Sequence, residues 1–278
     1  MQPVFEDKFI AFIDILGFKN LVAAAEAGNS LQLADLLDLT TKLSASSEQA
    51  ELQAYGPTIC PQSSYVKRDL SFRSTQISDS VIVSAEVSPA GAANFIGRCW
   101  GITVRLMNSG VLCRGYITRG SVFHADTQVI GSAYQRAYRR ESVVTAFRRE
   151  SSEQGTPFVE IDPAVTDYVK GCDDSCVQKI YARCVESDGE MDALFPFRSL
   201  EQSFVVGGPY ARFVDYERLR QGNVGLRNDI ETLKTQMMNA VDPQDARAVQ
   251  KVAHYIRALN RQLRGCDHID NVLTSLGH

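Results

Sequence analysis

The chain has 278 residues, room for one domain with additions, and its 44% apolar and 22% charged residues are those of an ordinary globular protein with a sizeable core. A net charge of −4 argues against broad electrostatic capture of nucleic acid or of an anionic membrane, while leaving room for a small basic pocket. No apolar run is long enough to span a bilayer, and the opening MQPVFED lacks the basic and apolar regions of a signal peptide, so a cytoplasmic location is expected, with the seven scattered cysteines as reduced thiols.

Phe9 to Ile15 reads FIAFIDI, an apolar run interrupted only by Asp14, and predicts a fully buried strand. LGFKN then makes a turn into a helix through Leu21 to Glu26, which Gly28-Asn29-Ser30 breaks. Leu31, Ala34, Leu37 and Leu39 mark a second helix that fades near Ser47, and residues 48–68, with Gly56, Pro57 and Pro61, read as a loop or insertion. Ser71–Gln76 and Ser80–Val87 predict two strands with Asp79 at the hairpin turn between them. Ser88-Pro89 opens a helix as N-cap and first-turn proline, with Ala92, Phe95, Ile96, Cys99, Thr103 and Leu106 at helical spacing and Gly110 as its stop. Val111–Thr118 predicts a strand, Gly120–Ile130 a hairpin, Gly131 to Arg149 a helix, and Phe158–Ile161 a short strand. Beyond about residue 219 the composition shifts to two long helices joined at Asp242-Pro243. The expected class is α+β, a sheet with helices on one face, divided as residues 1–218 and a helical extension over 219–278.

Several polar positions stand out. Asp14 ends an apolar strand, where a carboxylate is costly unless a cation or a donor holds it, although an Asp there also fits a helix N-cap. Asp79 alone reads as a turn residue. Gln135 and Arg139 are four apart, so they share one helix face, which by itself suits a solvated surface. Arg136, Arg140, Arg148 and Arg149 read as such a face or an interface. Cys172, Cys176 and Cys184 are poorly spaced for zinc, with no obvious fourth ligand, and the neighbouring Asp173-Asp174-Ser175 looks like a turn.

Taken in order, three segments resemble the class III adenylate and guanylate cyclases over roughly residues 8–150. FIDILGF is similar to the first metal motif, an Asp at a strand end before a Gly-Phe turn. STQISDSVIVS is similar to the second, with Ser78 where the family has Gly. VIGSAYQRAYRRE matches the helix start that reads Gly, then Asn, then Arg at four-residue steps, with Gly131, Gln135 and Arg139 at those places and Ala137 and Glu141 also agreeing. Within the family, FIDILGF with Ser-Asp-Ser and a helical C-terminal extension looks most like the bacterial pyrimidine cyclases of anti-phage defence.

The resemblance implies a cyclase fold of the ferredoxin-like palm type and an intramolecular displacement. The ribose 3′ oxygen of a nucleoside triphosphate attacks the α-phosphorus and pyrophosphate leaves. It implies two divalent ions, Mn²⁺ or Mg²⁺, held by Asp14, Asp79 and the carbonyl of Ile15, about 3.5–4 Å apart as in two-metal sites. Gly17 and Phe18 would bring a backbone turn and a helix N-terminus to the phosphates. Arg139 would stabilise charge at the α-phosphoryl group, and Gln135 would orient the ribose in place of the family Asn. The family's phosphate-binding Lys has no evident counterpart, with Arg198 and Arg212 as the substitutes on offer.

The positions that read the base are Thr75 and Gln128, with Arg73 and Tyr65 nearby, and the adenine-reading Lys is absent. Both side chains donate and accept, which suits UTP first and CTP second. The expected assembly is a homodimer with composite sites, its product acting on a downstream effector that does not bind the enzyme. The competing readings are an adenylate or guanylate cyclase, a catalytically degenerate nucleotide-binding sensor or scaffold, and a dinucleotide cyclase or polymerase palm. The Gly-Gly-Asp hairpin of the dinucleotide cyclases is missing.

Overall fold

The computed structural model describes residues 3–28, 31–44, 50, 52, 54–67, 69–202 and 208–276. The expected fading of the second helix near Ser47, and Asn29-Ser30 of the expected break, lie outside the described residues. The chain forms two compact units, residues 1–196 and 197–278.

The first unit is built on a mixed sheet. In chain order its elements are β1 (Glu6–Ile15), α1 (Phe18–Glu26), α2 (Leu33–Thr41), β2 (Phe72–Ile77), β3 (Ser80–Glu86), α3 (Pro89–Asn108), β4 (Cys113–His124), β5 (Val129–Ile130), α4 (Ser132–Glu141), β6 (Val159–Ile161), α5 (Pro163–Lys170), α6 (Ser175–Cys184), β7 (Val185–Ser187) and β8 (Asp192–Leu194). Among the described residues the strands lie in the order β2-β3-β1-β4-β6-β8-β7, with β5 paired to the end of β4. Neighbours are antiparallel except β4 and β6. Because β1 separates β3 from β4, helix α3 crosses over β1 to connect them.

β1 is buried along both faces. Phe9, Ala11, Ile13 and Ile15 enter the larger core with Val81, Val83 and Ala85 of β3 and with Phe95, Cys99, Ile102 and Leu106 of α3. Burial of each large side chain there contributes about 1.5–3 kcal/mol. Ile10 and Phe12 point the other way and pack with Ile82, Val122, Ala133 and Ala137. The α+β class is as expected, but the helices are not confined to one face: α4 lies on the second. An apolar run such as FIAFIDI has two faces to shield, and α4 covers the one that the remaining helices leave open.

Small residues seat α4 closely. A Cβ on Gly120 would lie 3.3 Å from that of Ala133. Gly131, the N-cap of α4, has φ 154°, and a Cβ there would lie 2.4 Å from the carbonyl oxygen of Ser121. The helix stops at Glu141 rather than running to Arg149. Val143, Val144 and Thr145 are β-branched and weaken a helix, and the N–H groups of Thr145 and Ala146 are taken by the Glu160 carboxylate at 2.6 and 2.9 Å. The hairpin expected over Gly120–Ile130 is shorter, because β4 continues to His124 and turns only at 125–128.

Several signals act as expected. Ser88 caps α3 by accepting from the N–H of Gly91 at 3.0 Å. Asp174 caps α6 and also accepts from Ser63 and Ser64 of the 56–65 loop. The sulfur of Cys176 accepts the N–H of Cys60 at 3.1 Å, and all seven cysteines are free thiols.

In the second unit Phe197 meets Tyr255 edge-on, ring centroids 4.9 Å apart. Two long helices, α7 (Tyr216–Asn239) and α8 (Ala246–Ser275), carry most of it. Ile230, Leu233 and Met237 of α7 are buried, as are Val252, Tyr255 and Leu259 of α8. Asn223 is fully buried and joins the helices through the carbonyl of Cys266 (3.0 Å) and the carboxylate of Asp270 (2.6 Å). No described helix is long and apolar enough to cross a membrane.

Gly131→Ala should cost on the order of 2–4 kcal/mol, because the added methyl must push α4 off the sheet. Urea unfolding of the purified variant measures the loss.

Candidate active site

Asp14 is the last outward step of β1 on the α4 face, following Ile10 and Phe12. It lies across from Ser80 of β3 on one side and Arg114 of β4 on the other. The Ser80 hydroxyl donates to its carboxylate at 3.0 Å. Asp79 sits in the turn between β2 and β3, half-buried, and its carbonyl accepts the N–H of Ile15 at 3.0 Å. The N–H of Leu16 is held by the carbonyl of Leu112 at 2.9 Å. Two backbone bonds therefore lock the end of β1 to the acid turn and to the start of β4.

Ser78, where the cyclase motif has glycine, adopts φ 55°. A side chain in this left-handed region costs roughly 1–2 kcal/mol. The turn thus keeps the glycine geometry without the glycine.

The electrostatics show an acid site short of positive charge. The Asp14 carboxyl is pushed up to about 6, chiefly by burial, with Asp79 and Glu141 adding repulsion that Ser80 and Arg114 only partly offset. Arg114 is engaged elsewhere: its Nε donates to Glu141, the last residue of α4, and both side chains are largely buried. Ala133, Ala137 and Glu141 form the inward stripe of α4, so the helix is clamped to the sheet beside Asp14. The donor set of Asp14 and Asp79, with the Ile15 carbonyl, is all oxygen and suits a hard cation such as Mg²⁺ or Mn²⁺. Among the described residues no group of three or more His, Cys, Asp or Glu side chains is arranged to hold a metal. A cation here would need water or substrate oxygens as well, which is usual for Mg²⁺.

Gly17 has φ 78° and is the N-cap of α1, with no side-chain cap on the helix end. The N–H of Asn20 already donates to the Gly17 carbonyl at 2.9 Å, which leaves the amides of Phe18 and Lys19 for another acceptor. A Cβ on Gly17 would meet nothing within 4 Å, so within the chain its backbone angle, rather than crowding, calls for glycine. Phe18 is half-buried, its ring against the larger core, so only its backbone faces the turn.

Gln135 and Arg139 are exposed on the side of α4 opposite Ala137 and Glu141. They flank Tyr138, 57% exposed, and are turned away from the strand that carries Asp14. Arg140 and Arg136 belong less to a free solvated face than their spacing implies. Arg140 pairs with Glu160 at 3.4 Å and lies over the Tyr116 ring, and Arg136 reaches Asp162 at 4.0 Å.

Thr75 and Gln128, expected from the resemblance to read the base, lie near one another. The hydroxyl of Thr75 donates to the carbonyl of Asp126 at 3.1 Å in the β4–β5 turn that also holds Gln128. Gln128 has an exposed side chain, and its carbonyl accepts the N–H of Ala125. Arg73 approaches Asp126 at 3.7 Å, and Tyr65 is half-buried in the 56–65 loop. Arg198 and Arg212 belong to the second unit.

Sequence reasoning missed Ser80, Arg114 and His124. The alternation of Arg114, Tyr116 and Thr118 along β4 places polar side chains on the α4 face and was the available signal for Arg114. His124, as a lone histidine, carried none.

No protein-family model matches the chain, and no curated protein matches it. Among solved structures it is similar to a bacterial light-regulated adenylyl cyclase (17% identity, 60% of this chain and 46% of that one, TM-score 0.39). It is also similar to the catalytic core of a rhodopsin-guanylyl cyclase with converted specificity in complex with ATPαS (14% identity, 68% and 93%, TM-score 0.36). A second light-regulated adenylyl cyclase structure matches at 15% identity over 69% and 52%, TM-score 0.35. The chain thus spans about half the length of the light-regulated enzymes.

A carboxyl held at about 6 in the folded chain and near 3.9 in the unfolded one works against folding once ionised. The penalty is absent below about pH 4 and complete above about pH 6. Discounted for partial exposure, it is on the order of 1–2 kcal/mol at neutral pH. Without divalent cations, Asp14→Asn should therefore raise the Tm at pH 7 and leave it unchanged at pH 4, as thermal melts would record.

Proposed function

We propose that the first unit is a nucleotidyl cyclase that converts a nucleoside triphosphate, UTP ahead of CTP, into its 3′,5′-cyclic monophosphate and pyrophosphate. The observation that carries this reading is the half-buried Asp14. Burial, with the repulsion of Asp79 and Glu141, pushes its carboxyl up to about 6, next to a second acid whose turn is bonded to the same strand end. A carboxylate pair so poor in compensating charge is built for a cation.

Asp14, Asp79 and the carbonyl of Ile15 would hold two Mg²⁺ or Mn²⁺ ions, which supply Lewis acidity toward the 3′ oxygen and the phosphates. The amides at the start of α1, beyond the left-handed Gly17, would take triphosphate oxygens, where the helix dipole favours negative charge. Arg139 would meet the charge that develops at the α-phosphorus, and Gln135 would hold the ribose by its amide. The 3′ hydroxyl gives its proton to solvent water as the oxygen bonds to the α-phosphorus, and the bond from the α-phosphorus to the oxygen bridging to the β-phosphorus breaks in line, releasing pyrophosphate.

Both helix residues point outward from the chain that carries the acids, which supports a two-fold homodimer whose sites are each shared between protomers. Exposed Ile130 and Tyr138, 56% and 57% accessible, provide apolar surface beside them. The FIDILGF and Ser-Asp-Ser segments, with the helical second unit, support a place in anti-phage signalling. There the cyclic product, rather than the enzyme, would engage the effector.

Incubation with each of the four ribonucleoside triphosphates and Mn²⁺, followed by chromatography, tests the reaction, with cyclic UMP expected as the main product. Asp14→Asn and Asp79→Asn should abolish turnover with the fold kept, and Mn²⁺ should raise the Tm of the wild type but not of Asp14→Asn. Arg139→Ala should lower kcat by roughly 10²–10³-fold with little change in KM. Complementation tests the shared site. Inactive Asp14→Ala and Arg139→Ala proteins, mixed and exchanged, should recover about a quarter of wild-type activity, because half the dimers are mixed and each has one intact site. No recovery, with exchange shown independently, places each site within one chain.

A further inference from the structure

His124 is buried at the end of β4, and each of its ring nitrogens faces a hydroxyl. Nδ1 lies 2.8 Å from the Ser84 hydroxyl, and Nε2 lies 2.9 Å from that of Thr75. The Asp126 carbonyl, 3.1 Å from the Thr75 hydroxyl, can only accept, so for both of its contacts to be hydrogen bonds Thr75 must donate there. A hydroxyl has one proton, so toward His124 Thr75 can only accept, and Nε2 must carry the ring hydrogen. Nδ1 is then an acceptor, and the Ser84 hydroxyl donates to it. One proton order satisfies all four groups.

The ring must be neutral for this order to hold. Burial pushes its pKa down to about 4, Lys8 and Arg73 also disfavour the imidazolium, and Asp126 opposes them only partly.

We infer that His124 is a positioning residue that makes Thr75 an acceptor only, so that the base site calls for an N–H at this point and reads the imide N3–H of uracil there. With one bond accepted from His124 and one given to Asp126, the half-buried Thr75 hydroxyl has a single lone pair left to offer. The ring nitrogen N3 of uracil carries a hydrogen, whereas N3 of cytosine is itself an acceptor and would face that lone pair unpaired. This rests on the cyclase reading of the same site, and it turns the expected preference for UTP from a matter of amide versatility at Gln128 into one of hydroxyl orientation at Thr75.

Two measurements test it on the full chain. The first needs no nucleotide. A long-range proton–nitrogen correlation spectrum of protein with ¹⁵N-labelled histidine, with the His124 ring assigned by its loss in His124→Gln, should show a neutral ring protonated at Nε2. A ring protonated at Nδ1 overturns the proton order.

The second is the ratio of kcat/KM for UTP over CTP. Thr75→Val and His124→Leu should lower it by about tenfold, the size expected when a buried polar partner is lost. Thr75→Ser should keep the ratio, and His124→Gln, which retains an N–H near the Nε2 position, should restore most of it. A purely structural histidine would slow both nucleotides equally and leave the ratio unchanged, which would overturn the inference. If His124→Leu does not fold, His124→Asn takes its place: its shorter amide can meet Ser84 but not Thr75, so it should lower the ratio as Leu would, and an unchanged ratio there overturns the inference. A wild-type protein that cyclises none of the four triphosphates would sink the cyclase reading and the uracil assignment together, while the ring spectrum separately decides the proton order.

Discussion

Everything around the site depends on one strand that is apolar on both faces and ends in a carboxylate. β1 sits between β3 and β4, so its amides and carbonyls are used on both sides over most of its length. Its odd-numbered side chains anchor the larger core, and Ile10 and Phe12 seat α4. Asp14 is the next residue on the α4 face. It cannot withdraw into solvent without disturbing a strand locked on four sides, and it is buried enough to resist ionisation. A carboxylate placed in this way costs folding free energy, which an isolated structural acid would not repay.

The same constraint explains the clamp beside it. Arg114, directly across from Asp14, is the obvious counter-ion, yet its guanidinium is engaged by Glu141. Positive charge is thereby spent on fixing the last turn of α4 to the sheet and only partly on Asp14. The helix is held by Ala133, Ala137 and Glu141, so its opposite side, with Gln135 and Arg139, is presented rigidly to whatever lies outside the chain. The inward residues of α4 determine where its outward residues point, and they do so to within a helical turn.

A second polar layer lies on the same face, farther from the strand end. Ser84, His124, Thr75 and the Asp126 carbonyl form a chain of hydrogen bonds from the buried middle of β3 to the β4–β5 turn. Such a chain is satisfied in only one orientation, and it ties β2 to a turn that pairing alone would leave loose. The acid end and this hydroxyl end are joined through β3, which contributes Ser80 to one and Ser84 to the other.

What the sequence determined by itself follows from local rules. FIAFIDI could only be a strand with both faces covered, Ser88-Pro89 could only open a helix of that periodicity, and Asp79 in a short polar break between two β-rich runs had to be at a turn. The spacing of Gln135 and Arg139 put them on one face of a helix, and their order after two acid motifs carried the resemblance to the cyclases. The tertiary structure decided what depends on contacts distant in sequence. Val143 to Arg149 leave the helix because Glu160 captures two of its amides. α4 lies on the second face because Gly120, Ala133 and Ala137 let it approach there. Arg114 meets Glu141 only once α4 is docked, and a histidine with no neighbours of its kind in the sequence becomes the orienting group for Thr75. Periodicity and turn chemistry are properties of a short stretch of chain. The protonation of Asp14 and the hydrogen-bond direction at Thr75 are set by what other strands bring within a few ångströms, and no stretch of chain contains that information.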